Sequence, residues 1–451
     1  MPPSAEARAA PAAPARARPF LMPPLAAAAA ARVPVFYGWV IVAVGALAGA
    51  ATMGVVQIFS VFLPPLQADL GASRATLSLA FSVNMLVFGV SSIVSGGLVD
   101  RYGTRRLVAV GGVLFGLGMF LAARSQGVGE LILALGGVAG LGIGAIQGPL
   151  QYLTARWFDR RKGLALGILL AGAALGTMVA SPLAEALNRW QGWRTTFVVL
   201  GVLAVALILL TAPLLVESPE TCGLRPDGAP AERTEEAPAP PGLPWTNHTA
   251  VRTGAFWTLL GTWFCCCTSH SGPLVHVAAH ARDVGVGASW AAGMLSGFGA
   301  AAFAGRIVLG VVADRIGGRR TLIGSLAAQA ILVVAFGGLR SPWAFMAVAV
   351  AFGVAYGGVF AQYPVLLREY FGASRVGAVY GGAMFVNAVA MAAGPFLTGL
   401  IHDVTGTYLV PFWVSGTIAA AGTFLAIGLR KPPPPSAEAG PASIPIRATP
   451  S

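Results

Sequence analysis

The chain has 451 residues, of which 56% are hydrophobic and only 10% are charged, and its formal net charge is +12. Soluble globular proteins carry roughly 25% charged residues, so this composition excludes a domain whose surface faces water on all sides. A lipid bilayer is the solvent that suits such a chain. The positions of the basic residues, described below, account for the positive charge without a nucleic-acid partner.

Long apolar runs predict membrane-spanning helices, since a helix of about 20 apolar residues crosses the hydrocarbon layer. Twelve such runs cover residues 36–65, 77–99, 107–123, 131–155, 163–187, 195–216, 254–279, 290–313, 321–339, 343–367, 376–401 and 408–429. We therefore predict an all-α membrane protein with twelve transmembrane helices in two pseudo-symmetric six-helix bundles.

The remaining segments divide the chain into domains. We predict a disordered tail at 1–34, an N-terminal bundle at 35–216, a polar linker at 217–252, a C-terminal bundle at 253–430 and a second tail at 431–451. Both tails and the linker are rich in Pro and Ala, a composition typical of segments without a packed core. The first tail lacks the cleavage pattern of a signal peptide. Three of the four cysteines are consecutive, so we expect no disulfide framework.

Basic residues are distributed unevenly between the predicted loops. The even-numbered loops contain Arg101, Arg105, Arg106, Arg156, Arg160, Arg161, Lys162, Arg315, Arg319, Arg320, Arg368 and Arg375. The odd-numbered loops contain only Arg74, Arg124, Arg189, Arg194, Arg282 and Arg340. Because positive residues accumulate on the cytoplasmic side, we predict that the even loops and both termini are cytoplasmic, in the plasma (inner) membrane.

The two halves repeat one motif. Residues 96–106 read GGLVDRYGTRR and residues 310–320 read GVVADRIGGRR, each after the second helix of its half. Two related six-helix halves are typical of a duplicated secondary transporter with its substrate site between them. The repeated Gly-x-x-x-Asp-Arg-x-Gly-x-Arg-Arg loop resembles that of the major facilitator superfamily. By this resemblance, a gating charge network is expected at Asp100, Arg101, Arg105, Arg106, Asp314, Arg315, Arg319 and Arg320.

Three stretches resemble the monocarboxylate-transporter branch and its bacterial relatives, which include oxalate–formate exchangers. They are FYGWVIVAVGAL at 36–47, RWFDRRKGLALGILLAGAALG at 156–176, and Arg-x-x-x-Gly-x-x-Ala-Asp at 306–314. The last stretch implies that Arg306 is the substrate-binding arginine of the branch. The exchangers use a second cation on the eleventh helix to hold a dianion, and this chain has none there. The resemblance therefore favours a singly charged carboxylate as the cargo.

We expect Arg306 to be the only Lys, Arg, Asp or Glu inside the twelve predicted segments. It lies eight residues before Asp314, or about 12 Å along the helix at 1.5 Å per residue. A guanidinium at that depth costs about 2.5–3.5 kcal/mol on insertion scales. We expect no acidic helix residue to neutralise it, so the cargo becomes the counter-ion, and the planar fork matches a carboxylate. A structural arginine bonded to helix carbonyls is the alternative.

Proton coupling is a separate question. Animal members of the branch place a lysine where this chain has Gln57 and an aspartate where it has Ala302. Bacterial relatives carry a histidine on the seventh helix, which His276 matches, and an imidazole readily exchanges a proton near neutral pH. A histidine hydrogen-bonded at the helix end is the alternative. His280 lies four residues further on, a spacing that can suit a metal pair, but we expect no metal and no other cofactor.

The remaining predicted site residues are polar side chains deep in apolar runs, namely Gln147, Tyr356 and Tyr380. No catalytic triad, Cys-x-x-Cys pair or nucleotide-binding fingerprint stands in a sensible setting, so we predict no enzyme activity. The favoured hypothesis is a monomeric secondary carrier that moves a small organic acid anion by alternating access, with a proton or by exchange. The alternative is a proton-driven exporter of uncharged or cationic compounds.

Overall fold

The computed structural model of the chain describes residues 36–159, 161–222, 224–228, 247–371 and 376–433. Both predicted tails fall almost wholly outside these ranges, as does most of the predicted linker. The predicted domain boundaries therefore remain predictions. Within the described residues, a helix occupies each of the twelve predicted segments.

The first half begins with four helices. Helix α1 is built from Gly38–Gly49, Ala50–Gly54, Val55–Gln57 and Phe59–Leu70, with a π-helical turn at Ala50–Gly54. Helix α2 is Arg74–Tyr102 and α3 is Thr104–Arg124. Helix α4 comprises Val128–Leu131, a π-helical stretch Ile132–Ala139, and Gly140–Trp157. The second, third and fourth predicted segments thus lie inside the observed helices, whereas the first begins two residues before Gly38.

Helices α5 and α6 form one hydrogen-bonded run, Lys162–Thr211, that changes direction at Gly192. Gly192 has φ +78° and ψ 171°, a conformation that glycine adopts without the steric cost of a Cβ. Residues 162–191 form α5 and residues 193–211 form α6. The predicted loop between the fifth and sixth segments is therefore a sharp glycine corner.

The second half contains α7 at Gly254–Asp283, α8 at Ala288–Ile316 and α9 at Gly318–Gly338. It continues with α10 at Pro342–Phe371, α11 at Val376–Thr405 and α12 at Leu409–Gly428. A short helix, Asn247–Val251, precedes α7. The core between the helices is apolar, and large apolar side chains such as Leu133, Ile331 and Phe424 lie on the outside with 70% or more of their surface exposed.

Ten helices in the described part of the chain are long and apolar enough to cross a membrane. One of them, Lys162–Leu214, has 53 residues and contains both α5 and α6. Helix α7 is not among the ten, because its middle carries the polar run Cys-Cys-Cys-Thr-Ser-His-Ser. The count of twelve membrane crossings therefore remains a prediction, while the all-α architecture is confirmed.

The two copies of the repeated motif fold alike. Gly103 has φ +78° and ψ 150°, and Gly317 has φ +91° and ψ 144°. Each closes its helix in the same way, since Gly103 N–H donates to Val99 and Gly317 N–H donates to Ala313. This matching backbone supports a duplicated chain. It also places Asp100 and Asp314 on the last helical turn, not in the loop.

The two halves meet along α2 and α11, along α5 and α8, and between α1 and α7. The chain direction defines two faces. We call the end that carries the even-numbered loops the arginine-rich face and the opposite end, with the α1–α2, α7–α8 and α11–α12 loops, the arginine-poor face. Contacts between the halves extend inward from the arginine-poor face. Ser181 Oγ, for example, donates to the Ala292 carbonyl at 2.9 Å, and Ser296 Oγ donates to that of Met178 at 2.8 Å.

Candidate functional site

Polar side chains from both halves meet at mid-depth, where we define a central cluster of Gln57, Thr177, His270, Arg306 and Tyr356. Thr177 Oγ1 donates to Gln57 Oε1 at 3.0 Å, which joins α5 to α1. The Tyr356 hydroxyl lies within hydrogen-bonding reach of the Gln57 side chain and interacts electrostatically with Arg306. The His270 ring meets the Tyr356 ring edge-on at 4.9 Å between centroids. Three predicted site residues, Gln57, Arg306 and Tyr356, are thus brought together.

Close packing of α8 against α10 fixes the position of Arg306. A Cβ on Gly357 would lie 2.2 Å from the Ala302 carbonyl oxygen and 2.9 Å from the Arg306 backbone nitrogen. A Cβ on Gly305 would lie 2.4 Å from the Val354 carbonyl oxygen. Only glycine permits such an approach, so the two backbones touch at this level. Ala302 is fully buried in the same seam.

Arg306 reaches from the C-terminal half into the N-terminal half. Its Nη1 donates to the backbone carbonyl oxygen of Leu170 on α5. Arg306 is half-buried as a residue, and Gln57 and Tyr356 approach the same region. The side chain points to the plane where the halves meet, a position that suits substrate binding, while its bond to a helix carbonyl is the contact expected of a structural arginine.

One expectation about acidic residues is wrong. Glu185 lies inside the fifth predicted segment and is 5% exposed. Its carboxylate is 3.6 Å from Arg189 one turn further along α5, near the arginine-poor end of the helix. Glu185 therefore pairs within its own helix and also interacts electrostatically with Arg282 of α7, in the other half.

The other predicted substrate residues are distributed differently. Gln147 on α4 is buried, and its amide packs against Gly49 of α1. The side chain of Tyr380 lies outside the part of the chain that the structure describes. His276 is fully buried but belongs to a different group of residues, nearer the arginine-poor face. It follows His270 by six residues on α7, about 9 Å along the helix axis.

We define the closing cluster as Arg74, Asp283, His402, Asp403 and Tyr408, at the arginine-poor face. Arg74, at the start of α2, forms a bidentate ion pair with Asp283 at the end of α7, with Nη2 to Oδ1 at 2.7 Å. Its Nη1 also lies 3.2 Å from His402 Nε2, and its guanidinium lies 5.1 Å from the centre of the Tyr408 ring. One arginine of the first half thus contacts three elements of the second.

The helix start itself strengthens this closure. Asp403 on α11 accepts from the backbone N–H groups of Arg74 at 3.3 Å and Ala75 at 2.9 Å. N–H groups in the first turn of a helix have no acceptor within the helix, and the helix dipole favours a negative charge beside them. At this level the backbones of the halves touch, because a Cβ on Gly399 would lie 2.8 Å from Ala75 N and Cα.

His276 extends the closing cluster inward. Its Nε2 lies 2.9 Å from Ser78 Oγ of α2 and 3.0 Å from the Pro395 carbonyl oxygen, and its Nδ1 lies 2.9 Å from the Tyr408 hydroxyl. Ser78 also donates to the Arg74 carbonyl oxygen at 2.7 Å. The neutral tautomer with its proton on Nε2 satisfies all these contacts, with Tyr408 donating to Nδ1. His276 therefore joins the two halves.

The closing cluster is not apparent from the sequence, in which Arg74 falls in a predicted loop and counts only toward membrane topology. Arg74 is instead the first residue of α2, after the N-cap Ser73. One sequence pattern does mark the closing cluster, and it occurs at the ends of two helices that finish at the arginine-poor face. Both α7 and α11 end with a basic residue followed by Asp-Val, in Arg282-Asp283 and His402-Asp403.

Among the residues that the structure describes, the contacts of the predicted gating residues at the arginine-rich face stay within their own half or the linker that follows it. Asp100 accepts from the Tyr152 hydroxyl at 3.3 Å, and the Arg105 N–H donates to Glu217 at 3.4 Å. Arg319 donates to the carbonyl oxygens of Ala426 and Ile427 on α12. The remaining members are largely exposed: Arg101, Arg106, Asp314, Arg315 and Arg320. A gating role for these charges stays a proposal.

Comparison with known proteins identifies the fold. The sequence profile of the Major Facilitator Superfamily matches residues 45–305 and 268–449. Monocarboxylate transporter 13 of Bos taurus is 27% identical over 399 residues, covering 87% of this chain and 89% of the relative. Monocarboxylate transporter 11 of Homo sapiens is 29% identical over 417 residues, with coverages of 87% and 83%. Monocarboxylate transporter 3 of Rattus norvegicus is 29% identical over 424 residues, with coverages of 90% and 84%. The chain therefore belongs to the Major Facilitator Superfamily and is a membrane transporter, not an enzyme, and it is similar to the superfamily's monocarboxylate transporters.

Proposed function

We propose that this transporter moves a small, singly charged carboxylate by alternating access and that Arg306 binds the carboxylate group. The observation that carries the proposal is the position of Arg306, whose guanidinium leaves its own half and enters the central cluster. The relatives named as monocarboxylate transporters support the same substrate class.

A carboxylate would compete well for Arg306. The present partner of Nη1 is a neutral backbone carbonyl, that of Leu170. Charge-assisted, bidentate hydrogen bonds to a carboxylate are roughly twice as strong as neutral ones. The Tyr356 hydroxyl and the Gln57 amide add donors beside the guanidinium. A single cation with neutral donors suits a monoanion.

The same contact links binding to movement of the halves. Leu170 belongs to α5 of the first half and Arg306 to α8 of the second. An anion that replaces the Leu170 carbonyl removes one bond between the halves, which favours the rocking motion of alternating access. We place the arginine-rich face and both termini in the cytoplasm, in the plasma membrane, by the positive-inside rule. The protein acts as a monomer, and the coupled ion is a proton or an exchanged anion.

Uptake into proteoliposomes tests the role of Arg306. Purified protein is reconstituted, and protein-dependent uptake of radiolabelled acetate, pyruvate and L-lactate is measured over short times, so that slow leakage of the neutral acids is subtracted. Arg306→Ala should abolish uptake. Arg306→Lys should keep only a small fraction of the wild-type uptake, because an ammonium lacks the planar fork of the guanidinium. Arg340→Ala, which removes an exposed arginine from the same half, is the control and should transport normally.

A second experiment with the same proteoliposomes tests proton coupling. If His276 carries the coupled proton, His276→Ala should abolish uptake driven by a pH gradient while leaving anion counterflow measurable. Retained pH-driven uptake would favour exchange. Undiminished carboxylate uptake in both Arg306 variants would contradict the proposal and would favour an exporter of uncharged or cationic compounds, for which Arg306 is structural.

A further inference from the structure

Three side chains on α7 place soft metal ligands together. Cys266 Sγ, Cys267 Sγ and a ring nitrogen of His270 all lie within 4.8 Å of one another. All three residues are at most 1% exposed. His270 stands three and four residues after the two cysteines, so it faces both of them on the helix surface. Cys266 Sγ lies 3.6 Å from His270 Nδ1.

We propose that Cys266, Cys267 and His270 form a binding site for one soft monovalent metal ion of the copper(I) class, beside the central cluster. Thiolate sulfur selects soft ions, and imidazole is compatible with copper. Structural zinc sites are almost always four-coordinate, whereas this site offers three ligands and no carboxylate. This site differs from the prediction of no metal, for which His276 and His280 were the only pair weighed.

The distances between the three ligand atoms need only small side-chain adjustments to hold one metal ion. With metal–sulfur bonds of about 2.3 Å and metal–nitrogen bonds of about 2.0–2.1 Å, ligand atoms around one ion lie roughly 3.6–4.6 Å apart. The observed upper limit of 4.8 Å is slightly larger, so a rotation of one thiol closes the site. Neighbouring groups can orient the ligands. Without metal, the Cys267 thiol donates to Asn387 Oδ1 at 2.8 Å, a bond that is lost when the thiol ionises. Tyr363 lies beside Cys266 and stacks on Trp263 at 4.5 Å.

The charge of an occupied metal site would act on the nearby central cluster. Coordination by both cysteines as thiolates releases two protons to solvent for each monovalent ion and leaves the metal and its ligands with a net charge of −1. His270 is in ring contact with Tyr356, which interacts with Arg306. An occupied site would therefore place negative charge near the guanidinium, where it would compete with a carboxylate. This second consequence, inhibition of transport, depends on the proposed function; metal binding itself does not.

Silver(I) is a redox-stable probe for such a site. Binding of Ag⁺ to the purified full-length protein is measured by isothermal titration and by elemental analysis, in chloride-free and thiol-free buffer. The matched control is Cys222→Ser/Cys265→Ser, since Cys265 faces Gly422 of α12 and Cys222 lies in the linker. We expect a single Ag⁺ per chain in this control, whereas the wild type, which keeps the free Cys222 and Cys265 thiols, should bind at least this ion.

Removal of the ligands should remove the binding. Cys266→Ser/Cys267→Ser should lose the high-affinity ion, and His270→Gln should weaken affinity by at least the ~10–100-fold typical of lost outer-sphere partners. Thermal unfolding checks that each variant folds, and His270→Gln provides the test if the double serine variant does not. Ag⁺ should also inhibit uptake by the control variant but not by Cys266→Ser/Cys267→Ser.

Three results would overturn the proposal. One is undiminished silver binding by folded Cys266→Ser/Cys267→Ser, or by folded His270→Gln where the double variant does not fold. Another is loss of binding in Cys222→Ser/Cys265→Ser, which would place the ion elsewhere. A third is Zn²⁺ bound as tightly as Ag⁺, which would contradict the assignment to a soft monovalent ion. Failure of carboxylate uptake alone would instead weaken the proposed function and leave the metal site standing.

Discussion

The two ends of the molecule use charge in opposite ways. At the arginine-poor face, few charges are present, but Arg74 and Asp283 pair across the two halves and Asp403 caps α2 of the opposite half. At the arginine-rich face, many charges are present, yet Asp100 and Arg319 bond within their own half. The number of charges at an end therefore does not reveal whether it is closed; pairing across the halves does. In this structure the arginine-poor face is closed.

The comparison assigns different roles to the two kinds of charge. Exposed basic residues outside ion pairs are suited to fixing topology through the positive-inside bias. Charges that pair across a movable interface favour one conformation over the other, because the pair exists only when the halves meet. The closing cluster is thus the element whose removal should change the conformational equilibrium most.

Steric obstruction of the closed face should have the largest effect. Gly399→Val places carbon atoms where Ala75 N and Cα lie only 2.8 Å away from the Cβ position, so the two backbones must separate. We expect carboxylate uptake to fall by more than ~10-fold, since the closed state becomes inaccessible. Spin labels on Ala72 and Thr405, in a cysteine-free background, should report a longer distance.

The matched control for that variant is Gly324→Val. Gly324 lies exposed in the middle of α9 with no atom within 4 Å of its Cβ position. It should keep both uptake and the label distance of the parent. An unchanged distance in Gly399→Val would show that the backbones do not meet there.

Neutralising one partner of the ion pair should have a smaller effect. Asp283→Asn removes the charge that faces Arg74, whose side chain is 10% exposed while that of Asp283 is 37% exposed. Pairs that are partly exposed contribute roughly 1 kcal/mol, which corresponds to about a fivefold shift toward the state open at this face. The spin-label distance distribution measures the shift.

Asp69→Asn is its control, because Asp69 pairs with Arg194 at the same face but within one half. It should lose a surface ion pair without changing the populations of the two states. Equal shifts in both variants would mean that overall charge, not pairing across the halves, determines the closure.

The smallest effect is expected at the other face. Asp100→Asn/Asp314→Asn changes side chains that are exposed in the closed-face state, and exposed substitutions usually change stability by less than about 0.5 kcal/mol. Thermal unfolding and the Ala72–Thr405 label distance should therefore be nearly unchanged. Opening of the arginine-poor face in this variant would contradict the division of roles between the two faces.

Much of the fold could be predicted because local patterns determine it. Apolar runs of membrane-crossing length located the helices, and the repeated motif located Gly103 and Gly317, whose left-handed backbones match. Arg306, Gln57 and Tyr356 were each predicted as substrate-binding residues, and they lie together in the structure; their role remains a proposal. These features require only the position of a residue along its own helix.

The closing cluster could not be predicted in the same way. Arg74 and Asp283 are 209 residues apart, and their contact depends on which faces of the halves meet in a given conformation. His276 shows the same limit. By sequence position it matches a substrate residue, but in this conformation it bonds to Ser78 and Tyr408, while His270, one and a half turns earlier, contacts the central cluster.

Ligand binding to Arg306 is the most direct test of the central claim. Thermal midpoints of the purified wild type, Arg306→Gln and Arg340→Gln are measured against a panel of small monocarboxylic, dicarboxylic and neutral compounds. A ligand that binds the folded protein raises the midpoint by mass action. We predict that at least one monocarboxylate raises the midpoint of the wild type and of Arg340→Gln but not of Arg306→Gln. The same increase in Arg306→Gln would show that the guanidinium does not hold the cargo.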